Sequence, residues 1–268
     1  MNDQICLDTS FLDFNFFGIL LPIAGTMFII GIVAFIISYI SQIKKYNLEK
    51  KHVIASLIHF GFFGLLGIHW FTIFFVSKDY SNLFSVFGGN DSAGIMLGLV
   101  AYLIYMKYYK LDIKKYFDAL ALPIIIMGTV LRVACALILD EIGFATTLPW
   151  GIYYFGEFRH PIGWYYLIVS SLILLVIFYL SKKNLKSGNL FLSMALLYSS
   201  TRILLDFLRE FPSHDYFGLS IHQISYLLLF IVCFVLLIVN NRKNFISSKL
   251  KKSINAKTKS KTGKKAKN

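Results

Sequence analysis

Two arginines stand in otherwise apolar runs, Arg132 in GTVLRVACALILDE and Arg202 in YSSTRILLDFLRE. A charged group inside a lipid-spanning segment is costly enough to mark a functional site by default. The guanidinium's planar fork of donors matches the oxygens of a phosphate. Arg202, Asp206 and Arg209 follow one another at spacings of four and three, which stacks them on one helix face. Asp140 lies eight residues after Arg132, about two helical turns, and is expected on nearly the same face. The plainer alternative has Asp206 neutralising Arg202 and Arg209 locally while Arg132 snorkels outward. Two arginines on separate spans, both near the outer end, favour a shared anion.

A second dense stretch, 140–163, gathers Asp140, Glu141, Glu157, Arg159 and His160. Trp150, Tyr153 and Tyr154, with Trp164, Tyr165 and Tyr166 just beyond, give the aromatic belt of a segment anchored at a membrane interface. A histidine such as His160 can move a proton, although a lone histidine more often serves packing.

The elements that position these residues follow from composition. Of 268 residues, 57% are hydrophobic and only 15% charged, with a mean hydropathy of +0.65. A soluble protein of this size keeps roughly a quarter to a third of its unfolded surface in contact with solvent, so this apolar excess excludes a soluble enzyme. It also excludes a disordered or collagen-like chain and a disulfide-stapled module. The expected fold class is all-α, a polytopic membrane protein of about seven transmembrane helices. The spans are expected near 17–40, 53–76, 93–109, 116–139, 161–180, 189–208 and 221–239.

Loop charge orients them. With the N-terminus outside, 22 of the 27 Lys and Arg residues fall on the cytoplasmic side, 11 of them from Arg242 to Lys267. The C-terminus is then inside, residues 1–240 form a single transmembrane domain, and 241–268 form a disordered basic tail. The formal charge of +13 therefore points to an anionic membrane surface and not to nucleic acid. Cys6, Cys135 and Cys233 are too scattered for a zinc site or a disulfide framework.

The order of these motifs resembles the prolipoprotein diacylglyceryl transferase family. The family's fourth-span arginine signature, its acidic residue and its Leu-Pro-Trp-Gly are similar to Leu131 through Cys135, Asp140, and Leu148 through Gly151. Its Arg-His-Pro matches Arg159, His160 and Pro161, and its sixth-span motif resembles Tyr198, Arg202, Asp206 and Arg209. Gln223, Phe17-Gly18-Ile19 and the run Gly88, Gly89, Gly94 and Gly98 resemble further family positions. The departures are specific: the family's histidine slot falls on Ser92 or Ala93, its Gln on Gly163 and a closing Glu on Tyr166.

The resemblance implies an enzyme of a bacterial cytoplasmic (inner) membrane, crossing it several times. It would move diacylglycerol from phosphatidylglycerol to the lipobox cysteine of preprolipoprotein signal peptides, releasing glycerol phosphate, with no metal or cofactor required. Arg132, Arg202, Arg209 and Asp206 would hold phosphatidylglycerol, while Arg202, Asp140, His160 and Tyr198 would serve catalysis. The departures favour an alternative, a diverged paralogue that binds lipid or lipoprotein without transfer. A transporter ranks last, because no half-to-half similarity is seen.

Overall fold

The structure, a computed structural model, describes residues 14–16, 19–71, 91–139, 141–154, 156–210, 218–220 and 223–242. Helices dominate it. They are α1 (Ile23–Tyr46), α2 (Lys50–Phe71), α3 (Asp91–Tyr108), α4 (Ile113–Leu137), α5 (Ile162–Ser181), α6 (Asn189–Asp206) and α7 (Gln223–Arg242). Of these, α1, α4, α5 and α7 are long and apolar enough to cross a membrane. Their apolar side chains turn outward: Ile37 on α1 is 66% exposed and Leu175 on α5 is 65% exposed. Exposure on that scale is unfavourable in water and favourable in lipid. The chain is a multi-pass membrane protein.

The all-α expectation needs one correction. Short strands accompany the helices: β1 (Phe14–Phe16), β2 (Ile19–Leu21), β3 (Ile142–Ala145), β4 (Ile152–Tyr154) and β5 (Glu157–Pro161). β1 and β2 form an antiparallel pair, and β3, β5 and β4 form a sheet in that order. The expected first span is displaced toward the C-terminus, because the helix begins only after Pro22, whose carbonyl accepts from Thr26 N at 3.0 Å, and runs on to Tyr46. Apolarity located the lipid-facing residues but did not distinguish strand from helix over such short runs.

The chain divides into two compact units, Ser38–Leu120 and the remainder. Within the first, α2 packs along α3, burying Val53, Ser56, Tyr102 and Met106. Within the second, Ala121, Leu122 and Ile125 of α4 meet Ile173 and Ile177 of α5 and Leu190 and Met194 of α6 in a buried core. This α4–α5–α6 packing is the scaffold that carries the arginines. α7 opens with a capping box: Ser220 N donates to Gln223 Oε1 at 2.9 Å and Gln223 N donates to Ser220 Oγ at 3.1 Å. Gln223, singled out in the sequence, thus serves to start the last helix. Phe17, Gly18, Gly88 and Gly89 lie outside the described residues, as does everything after Arg242.

Candidate active site

Arg132 stands six residues before the last residue of α4, and Arg202 five before that of α6, by inclusive count. The α4 helix ends at Leu137 and the chain turns at Leu139, which has a left-handed φ of 53°. That turn ends the helical register that carries Arg132, and the shared face expected with Asp140 is not described. Asp140 itself lies outside the described residues. The acidic partner described is its neighbour Glu141, which is buried.

Two glycines make this approach possible. The backbone of β3 runs against the end of α6, where Gly143 bridges Arg209 and Phe144 N donates to Leu208 O at 3.0 Å. A side chain on Gly143 would bring a Cβ within 2.3 Å of Leu208 O. Gly163, at the start of α5, passes so close to α4 that its Cβ would lie 2.8 Å from Cys135 O. Gly163 N also donates to Glu141 O at 3.3 Å. A Gly163 side chain would therefore push α5 from α4, and one on Gly143 would lift β3 from α6.

The result is a convergence of charge. Arg132 Nη1 lies 3.2 Å from Glu141 Oε2, and Arg202 Nη1 lies 3.9 Å from the same oxygen. Arg209, in the turn beyond α6, reaches Glu141 Oε1 at 3.5 Å. Arg202 Nη2 is 3.8 Å from Asp206 Oδ1, and the Tyr166 hydroxyl donates to that oxygen. The Tyr166 ring is contacted by both guanidinium carbons, at 4.7 Å from Arg132 and 4.1 Å from Arg202. Tyr226 also receives Arg202, at 5.2 Å, and its ring meets Tyr198 edge-on. Tyr198 in turn is an electrostatic neighbour of Arg132.

Among the described residues, three guanidinium groups thus face two carboxylates. Arg202 is 5% exposed, and its Nε and Nη1 have no hydrogen-bond partner among the described residues. Buried donors of this kind are costly unless something accepts from them. The arrangement can bind an anion that offers several oxygens and can stabilise negative charge developing on it. Among the described residues, no group of three His, Cys, Asp or Glu side chains gathers as a metal centre.

The chain matches the family model for prolipoprotein diacylglyceryl transferase over residues 14–239. It belongs to that family. A relative from Campylobacter jejuni, named phosphatidylglycerol-prolipoprotein diacylglyceryl transferase, is 26% identical over 249 residues, covering 84% of this chain and 91% of its own length. A Clostridium tetani protein of the same name is 26% identical over 248 residues, covering 86% of this chain and 98% of itself. One from Campylobacter lari reaches 32% over 159 residues, about 57% of this chain and 58% of its own.

In this family member the sequence-derived residues separate into two groups. Arg132, Arg202, Arg209 and Asp206 come together, with Tyr198 at their edge. His160 lies on β5, where its Nδ1 is 3.1 Å from the Tyr165 hydroxyl, which also accepts from Trp150 Nε1 at 2.8 Å. Arg159 turns to Glu157 and Glu210, and its hydrogen bond to Glu210 holds the guanidinium above its ordinary pKa. The plain alternative of local neutralisation describes only part of the geometry. Asp206 does pair with Arg202, but Arg132 turns to Glu141 and is not held out in solvent. Glu141 and Tyr166 were missed as site residues. The signal for Glu141 was an acidic residue just past an apolar span, and for Tyr166 a tyrosine one helical turn inside the next.

Proposed function

We propose that the protein transfers a diacylglyceryl group from phosphatidylglycerol to the lipobox cysteine thiol of prolipoproteins. What carries this reading is that Arg132 and Arg202, from different helices, both approach one Glu141 oxygen while Arg202 retains donors without a hydrogen-bond partner among the described residues. The headgroup phosphate sits against those donors, with Arg209 completing the positive side and Asp206 lying beside Arg202. The cysteine sulfur, as thiolate, forms a bond to the terminal glyceryl carbon. The bond from that carbon to the phosphate oxygen breaks, and glycerol phosphate leaves with the electron pair. The guanidinium groups meet the charge that builds on the departing oxygen, the kind of stabilisation that contributes most to catalysis of this type.

The thiol proton goes to a base on the same side, for which His160 and Asp140 are the candidates, and Tyr198 offers its hydroxyl to the lipid. The positive-inside count supports an outer-leaflet reaction, with all seven helices crossing a bacterial cytoplasmic membrane, N-terminus out and C-terminus in. The test is transfer of radiolabelled diacylglycerol from phosphatidylglycerol to a lipobox peptide by membranes holding only this protein. Label on the peptide cysteine, and rescue of a transferase-depleted bacterium, are the expected results. Normal membrane insertion with neither would instead leave a lipid-binding paralogue.

A further inference from the structure

We infer that Tyr166 is a positioning residue that sets the separation of the two guanidinium groups and keeps Arg202 available to the bound anion. The role of the anion as a lipid headgroup rests on the transfer reading; the positioning itself rests on geometry. Tyr166 is 4% exposed, and its ring lies within 4.7 Å of the Arg132 guanidinium carbon and 4.1 Å of that of Arg202. Laid end to end, those distances hold the two carbons within 8.8 Å of each other. Like charges at such a separation repel strongly where water is scarce. An aromatic ring attracts each of them through its negative face.

The hydroxyl does a second job. It donates to Asp206 Oδ1, the oxygen nearest Arg202 Nη2, which remains 3.8 Å away and beyond hydrogen-bonding distance. Tyr166 therefore anchors the carboxylate through Oδ1 and fixes its orientation, while Oδ2 has no hydrogen-bond partner among the described residues. The ring is delivered to this point by Gly163, whose lack of a side chain lets the start of α5 approach α4. An aliphatic side chain of similar size would fill the volume without either effect.

The experiment uses the full chain in phosphatidylcholine nanodiscs, with binding of glycerol phosphate and of added phosphatidylglycerol measured beside transfer kinetics. Tyr166→Leu removes both ring contacts and is expected to weaken binding roughly tenfold or more. Because that variant can also loosen the core, Tyr166→Phe is the sharper probe. It keeps the ring and frees Asp206, so binding falls roughly tenfold and KM for phosphatidylglycerol rises while kcat changes little. Adding Asp206→Asn to Tyr166→Phe removes the competing carboxylate and restores binding to the level of Asp206→Asn alone. Wild-type binding by Tyr166→Phe, or no restoration in the double variant, overturns the inference. Since binding is read without transfer, a wild-type protein that binds but does not transfer defeats the transfer reading and leaves the Tyr166 series intact as a test.

Discussion

Each compact unit carries polar side chains within apolar helices, and the chemistry differs. In Ser38–Leu120, His52 Nδ1 is 3.0 Å from the Tyr105 hydroxyl and His59 Nδ1 is 2.7 Å from the carbonyl of Ala55. The rings of His52, His59, Tyr105 and Tyr109 lie against one another, with centroids 4.7 to 6.1 Å apart. Each of the two histidines finds an acceptor or donor close by. In the other unit, full charges from α4, α6 and the turn after α6 are drawn onto Glu141, and buried donors on Arg202 remain over. Polar residues in an apolar helix therefore do not identify a site by themselves. Several full charges drawn onto one buried carboxylate do.

Four experiments sharpen or break this contrast. The largest effect is expected for Arg132→Ala and Arg202→Ala, each lowering diacylglyceryl transfer in membranes by roughly 10²–10³-fold; transfer assays on matched amounts of inserted protein check it. Next, Glu141→Ala leaves like charges facing one another in a buried setting and should destabilise the protein by about 3 kcal/mol, read as thermal unfolding in detergent. Gly143→Ala forces β3 from α6 and should cost about 1–3 kcal/mol, with transfer reduced alongside. The smallest effect belongs to the other unit: His59→Ala or Tyr105→Phe should change stability by no more than about 1.5 kcal/mol and leave transfer at the wild-type rate. Transfer lost on removing His59 would make the two regions alike and end the comparison.

Much of this was legible in the sequence, for physical reasons. An apolar run of about 20 residues can satisfy its own backbone only as a helix in lipid, so α1, α5 and α7 follow from hydropathy. The i, i+4 relation of Arg202 and Asp206 followed from helical spacing alone. The relation of Arg132 to its acidic partner did not, because Leu139 adopts a left-handed turn that no periodicity announces. Glu141 reaches the arginines through the pairing of β3 with β5 and the bridge from Gly143 to Arg209, both of them tertiary contacts. In the sequence Tyr166 is one more interfacial aromatic, since only the fold brings its ring against two guanidinium groups.

In the reaction we propose, guanidinium groups from α4 and α6 hold one headgroup phosphate together. The most direct measurement is magnetic-resonance contact between the phosphorus of phosphatidylglycerol and ¹⁵N-labelled arginine side chains in nanodiscs, with Arg132→Lys and Arg202→Lys used to assign the signals. One phosphorus resonance in contact with both arginines is the predicted result. Contact with only one of them, or with neither, contradicts the account.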